Sequence, residues 1–251
     1  MSDLSWPSDG PTGSPNFDAG FHTDWFMVHA AGQLGAGGSE AMAKLCSTYW
    51  YPLYAYVRRK GHGPQEAQDL TQEFFARLLA TPWLEDVHPS KGKFRAFLLA
   101  SMNHFLANEW RREQTQKRGG GQVTFSLDAV EAEDRYRIEP AQGQSPDKVF
   151  DRDYARTLFE RIRVLLQSEC FATGKGQVFE ELKGMFDGEA NQRSYAELGA
   201  TLDMTEAALK KAAQRLRERY CDLLRQEVAA TVNDPREVDE EIRNLCAALC
   251  A

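Results

Sequence analysis

No stretch of about eighteen consecutive apolar residues occurs in this chain, so no membrane-spanning helix is expected. The segment from Met1 to about Gly20 is rich in Ser, Pro, Gly and Asp. It lacks the apolar centre of a signal peptide and reads as disordered over 1–21. Alternation of apolar and polar residues is absent as well, which argues against strands. The cysteines are few: Cys46, Cys170, Cys221, Cys246 and Cys250. None forms a C-x-x-C pair and none joins a histidine at zinc-ligand spacing. Cys246 and Cys250 share a helix face and read as small apolar residues. An odd count without a disulfide framework fits a reducing cytoplasm. There is no glycine-rich phosphate loop, nucleophile elbow or acid/base constellation, and His22, His29, His62, His88 and His104 are scattered. The chain is therefore expected to hold no cofactor and no metal, and not to be an enzyme.

What the sequence does have is helical periodicity and segregated charge. Its 251 residues carry 37 acids against 30 Lys and Arg, a formal net charge of -7, so it is not a generic polyanion binder. Nucleic-acid binding by such a chain requires its bases to cluster. Apolar spacing predicts a helix over about 39–59, with Met42, Leu45, Tyr49, Leu53 and Tyr56 on one stripe. Gly61 and Gly63 end it, and Pro64 opens a second helix with Ala67, Leu70, Phe74 and Leu78 inward. A loop over about 81–90 precedes a long helix over about 91–116, whose inward side includes Phe94, Phe97, Met102 and Phe105. Gly119-Gly120-Gly121 then breaks the pattern, and an acidic stretch without periodicity runs to Ser145. Ser145-Pro146-Asp147 is a helix start. The helix after it carries Phe150, Tyr154, Leu158, Ile162 and Leu165, and a short helix around 178–186 follows. Ser194-Tyr195-Ala196-Glu197 is a capping box. Asp203-Met204-Thr205 makes a tight turn into a helix reaching about Gln226, and Asp234-Pro235 starts a tail helix. The expected architecture is all-α: a helical domain over 22–118, a flexible acidic linker over 119–145, a second helical domain over 146–230 and a C-terminal helical extension over 231–251.

Three faces carry chemistry. A short helix, a three-residue turn and a longer helix pack crosswise in a helix-turn-helix. The second helix would present Thr205, Lys210, Lys211, Gln214 and Arg215, types that meet phosphates and base edges in a major groove. An ordinary helical hairpin with a solvated basic face is the bland alternative. The helix over 91–116 interleaves Lys93, Arg95, Arg111 and Arg112 with aromatics and with Asn108, a mixture suited to unstacked bases. Its bland reading is aromatics in a core beneath a solvated basic face. On the second helix Glu66, Asp69 and Glu73 share one side, with Gln72 beside them. Aligned carboxylates repel one another, so this side fits a basic partner unless it is simply solvated.

These segments resemble a known family, the extracytoplasmic-function sigma factors of bacterial RNA polymerase. Glu66-Ala67-Gln68-Asp69-Leu70-Thr71-Gln72-Glu73-Phe74-Phe75 resembles that family's polymerase-binding helix. The run from Phe94 to Arg112 resembles its promoter-melting and minus-ten-reading helix. Ser194 to Gly199, followed by Leu209-Lys210-Lys211 and Arg215, resembles its minus-thirty-five helix-turn-helix. Gln68 departs from the usual acid and Phe97 from a common Trp; His104 and Asn108 stand where Asn and Asp are usual. The resemblance implies that Asp69, Gln72, Glu73 and Phe74 bind core RNA polymerase. Promoter DNA would be held as melted strand by Lys93, Arg95, Asn108, Arg111 and Arg112, and as duplex by Thr205, Lys210, Lys211, Gln214 and Arg215. The acidic linker would lie in the polymerase's RNA exit path. An anti-sigma protein is a usual partner in the family, and a kinase acting at Thr71 would restore the charge missing at Gln68. The implied location is the bacterial cytoplasm. Two other classes remain: a helix-turn-helix regulator acting without polymerase, which needs neither the acidic nor the aromatic-basic helix, and a helical enzyme or scaffold.

Overall fold

A computed structural model of the chain describes residues 36–80, 93–115, 129–138, 143–186, 193–232 and 234–250. The expected disordered start (1–21), the loop over 81–90 and the glycine run at 119–121 lie outside these residues. The described residues are helical and include no strand. The helices are α1 (Ala36–Arg59), α2 (Pro64–Ala80), α3 (Phe94–Thr115), α4 (Ala129–Ile138), α5 (Pro146–Ala172), α6 (Gly176–Leu182), α7 (Tyr195–Thr201), α8 (Glu206–Ala229) and α9 (Val238–Cys250).

Several boundaries follow from local chemistry. The Ser145 hydroxyl accepts a hydrogen bond from the Lys148 N–H, and Pro146 occupies the first turn of α5, where no backbone donor is needed. Ser194 and Glu197 satisfy each other's backbone donors at the start of α7. Thr205 caps α8 by accepting from the Ala208 N–H at 3.2 Å. Between α7 and α8, Asp203 takes the left-handed conformation (φ 52°), which a short polar side chain tolerates.

The central helix is α1. Leu45, Tyr49, Leu53 and Tyr56 are buried as the stripe predicts, and so are Trp50, Tyr51, Tyr54, Ala55 and Val57. A helix apolar on nearly every side belongs inside a packed body. Its main partner is α5: Tyr49 stacks on Tyr154 at 5.0 Å, their hydroxyls meet at 3.3 Å, and Tyr56 meets Phe150 edge to face. One hydrophobic cluster therefore runs from Leu45 on α1 to Leu245 on α9. The two halves expected from the sequence share this core in the arrangement seen here.

The acidic stretch differs from its expectation in one respect, because residues 129–138 form α4. Ala132 is buried, and Glu133 receives a forked hydrogen bond from Arg58 (3.0 Å to each oxygen) and another from the Tyr54 hydroxyl (2.6 Å). The rings of Tyr136 and Tyr51 lie under the guanidinium groups of Arg58 and Arg135. A short polar helix of this kind is marginal alone, and contacts to α1 hold it in place. Burial pushes the Glu133 carboxyl up, but Arg58 and Tyr54 outweigh it and hold it below the usual carboxylate range.

Candidate functional site

The acidic face stands on α2. Ala67, Leu70, Phe74 and Leu78 turn inward and leave Glu66, Asp69 and Glu73 exposed on one side. Glu66 lies 2.7 Å from the His62 ring nitrogen, Asp69 accepts from the Gln65 amide at 3.1 Å, and Glu73 pairs with Arg77. Arg77 also meets Glu109 of α3 at 2.6 Å, so one cation ties the acidic helix to the next helix. Gln72 is half-buried beside them. Phe74, expected inward from its spacing and given a polymerase-binding role by the resemblance, is 4% exposed and packs edge to face on Phe75 and Phe105. Its place is beneath the face, where its apolar ring belongs. Thr71 is fully buried and donates to the Ala67 carbonyl at 2.7 Å. In this arrangement its hydroxyl is closed to a kinase, contrary to the expectation of a phosphorylation site there.

The aromatic-basic helix α3 divides into two ends. At its C-terminal end Asn108, Trp110, Arg111 and Arg112 are all exposed, and Trp110 keeps 62% of its surface in solvent. An indole so exposed beside two arginines offers a stacking surface. The Arg111 guanidinium donates to the side-chain Oδ1 of Asn108 at 3.3 Å, and Arg112 lies 3.7 Å from Glu109. At the N-terminal end, Phe94, Met102 and Phe105 are buried as predicted and Phe97 is half-buried. There Lys93 and Arg95 are already engaged. Lys93 Nζ lies 2.6 Å from one oxygen of Glu241, Arg95 Nε donates to the other at 2.6 Å, and Arg95 also pairs with Asp151. These two cations stand at the start of the helix that carries Arg111 and Arg112, but do not share their exposure.

The third face belongs to α8. Leu209, Ala212, Ala213 and Leu216 pack inward, leaving Lys210, Lys211, Gln214 and Arg217 outward, with Arg215 half-buried. Lys210 pairs with Glu206 at 2.7 Å and Gln214 donates to Glu218 at 2.9 Å; both are exposed contacts one helical turn apart, of little strength. Arg219, also basic, turns away and makes a forked bond to Glu169 of α5. Gly199 fixes the α7–α8 geometry: the Met204 N–H donates to its carbonyl at 2.9 Å, and the Met204 carbonyl oxygen lies 2.6 Å from where a Cβ would stand. Only a residue without a side chain admits the turn this close.

The sequence gives no pairing for Lys93 and Arg95, whose ionic partners are Glu241 and Asp151. Glu241 was detectable, since it falls among Val238, Ile242 and Leu245 on the apolar side of the tail helix. An acid there must find a cation when that side is buried. Asp151 gives no comparable signal. Among the described residues no helix is long and apolar enough to cross a membrane.

The ECF sigma factor family matches this chain over residues 29–226. No curated protein and no solved structure matches it. The matched span takes in all three faces and ends before the tail.

Proposed function

The chain belongs to the ECF sigma factor family, whose members bind core RNA polymerase and direct it to promoters, and from that premise we propose how its three faces divide the work. Asp69, Glu73 and Gln72 on α2 dock on basic groups of core polymerase. The α7–α8 pair acts as a helix-turn-helix, with Gln214 and Arg215 reading duplex bases upstream and Lys210 and Lys211 meeting phosphates. Asn108, Trp110, Arg111 and Arg112 capture the strand opened downstream. The chain performs no chemistry itself and acts in the cytoplasm. For the segment after α3 to enter an RNA path, α4 must leave α1 and break the Arg58–Glu133 fork. An anti-sigma protein would act by covering one of these faces.

The observation that carries this reading is the contrast between the two outward basic surfaces. The surface on α8 has no exposed aromatic, and that on α3 sets Trp110 beside two arginines. Intact duplex needs cations and hydrogen-bonding groups, whereas unstacked bases gain about 1–3 kcal/mol each from an aromatic platform. A promoter library transcribed with variants tests the division. Replacing Gln214 or Arg215 should relax preference upstream, at about 1–3 kcal/mol for a good bidentate contact. Replacing Asn108 or Arg112 should spare upstream binding and impair opening at the minus-ten element, seen by permanganate footprinting and partly rescued by a pre-melted promoter. If Gln214 and Asn108 variants shift preference at the same promoter positions, the two-site reading fails and a simple duplex-binding regulator explains the chain better.

A further inference from the structure

Beyond residue 226 the chain continues past the family match into a segment that closes back on α3. Thr231 and Val232 are buried at the end of α8, and the Thr231 carbonyl accepts a hydrogen bond from the Phe94 N–H at 3.2 Å. After a short turn, α9 lies on α5 and α8 with Val238 and Leu245 buried. Glu241 sits between them, 2% exposed, with its carboxylate against Lys93 and Arg95. A lone buried carboxylate is costly. Burial would push this one up, yet Arg95 and Lys93 outweigh that effect and hold it below the usual range. The tail thus supplies one carboxylate to two cations at the start of the helix that carries Arg111 and Arg112 at its far end. A carboxylate between a lysine and an arginine has the charge and the acceptor geometry of a phosphate oxygen pair.

We propose that Lys93 and Arg95 form a phosphate-binding site for promoter DNA, and that the C-terminal segment keeps it shut by seating Glu241 where a phosphate binds. This rests on the reading of α3 as a DNA-binding helix. The tail is then an internal competitor: DNA must displace it, and whatever lifts it raises DNA affinity. Asp151 also faces Arg95 but keeps 38% of its side chain in solvent and stays with α5, so the closing group is Glu241.

The test compares Glu241→Lys with Glu240→Lys in the full chain. Both change the charge equally on the same helix, but Glu240 is exposed and Glu241 faces the two cations. Binding to a labelled duplex is measured by anisotropy over a range of salt. Each phosphate contact steepens the dependence of log affinity on log salt by about 0.9. Recovery of one or both cations should steepen the Glu241→Lys slope by about one or two such contacts over that of Glu240→Lys, with roughly fivefold to thirtyfold tighter binding at 0.15 M salt. Equal affinity and slope for the two variants overturn the proposal. Because Glu241→Lys disturbs packing, the unaltered chain gives a second reading by hydrogen exchange. Saturating duplex should speed exchange over 238–250, and undiminished protection there overturns the proposal as well. A pull-down of the unaltered chain with core polymerase separates the failures. If polymerase is bound while both readings are negative, the closing role of the tail falls and the sigma-factor reading stands. If polymerase is not bound, the sigma-factor reading falls whatever the variants do.

Discussion

Replacing Gly199 by Ala puts the α7–α8 geometry to a quantitative test. The added methyl would stand 2.6 Å from the Met204 carbonyl oxygen. That oxygen is backbone, held in a turn that includes left-handed Asp203 and the Met204–Gly199 hydrogen bond, so it cannot swing away as a side chain would. Overpacking of this sort costs about 1–3 kcal/mol. Against it, Ala is better than Gly within a helix by about 1 kcal/mol. The clash wins because the turn must open to relieve it, leaving a net loss of about 1 kcal/mol, or roughly 2–4 °C in melting temperature for a chain of this size. Duplex binding should fall further than stability does, since opening the turn re-aims Lys210, Lys211 and Gln214 together. Ala200→Gly is the control: at the exposed next position it loses helix propensity without touching the turn, so it should cost a similar amount of stability and leave duplex binding intact. A Gly199→Ala protein that melts as high as the unaltered chain and binds duplex equally well refutes the reasoning.

Other outcomes follow from the remaining faces. The double change Asp69→Lys and Glu73→Lys should abolish association with core polymerase in a pull-down, because like charges across an interface cost several kcal/mol, while circular dichroism stays unchanged since both positions are exposed. Limited proteolysis should cut within 119–145 at sites flanking α4, and Glu133→Gln should admit cleavage within 129–138 by releasing Arg58 and Tyr54. The Glu241 carboxyl lies below the ordinary glutamate value of 4.5 in the folded chain, so its contribution is present above that pH and lost as pH falls through the lower folded value. Between neutral pH and pH 3.5, Glu241→Gln should therefore lose less stability to urea than the unaltered chain does.

The helices themselves were legible because their signals are local. A capping box at Ser194, a proline after Ser145 and the stripe from Leu45 to Tyr56 each declare a boundary or a buried side without reference to the rest of the chain. The helix at 129–138 was not, since its residues are polar and carry no apolar stripe; Arg58 and Tyr54, over seventy residues upstream, hold it. The site divides in the same way. Asp69, Glu73, Lys210, Lys211 and Gln214 are outward because helical periodicity places them opposite the core. Phe74 shares their motif but obeys that same periodicity and lies inside. Lys93 and Arg95 defeat the local argument, since nothing near them in sequence foretells a carboxylate from residue 241.

The central claim, that this chain gives core RNA polymerase its promoter specificity, is tested most directly by transcription in vitro. Core polymerase, purified free of its own sigma factors, is supplied with the chain and fragmented genomic DNA, and transcript 5′ ends are sequenced. The account predicts discrete start sites, absent with core polymerase alone, that share an upstream and a downstream element, and that vanish with the Asp69→Lys, Glu73→Lys double variant. Start sites no more focused than those of core polymerase alone, or unaffected by that double variant, would contradict it.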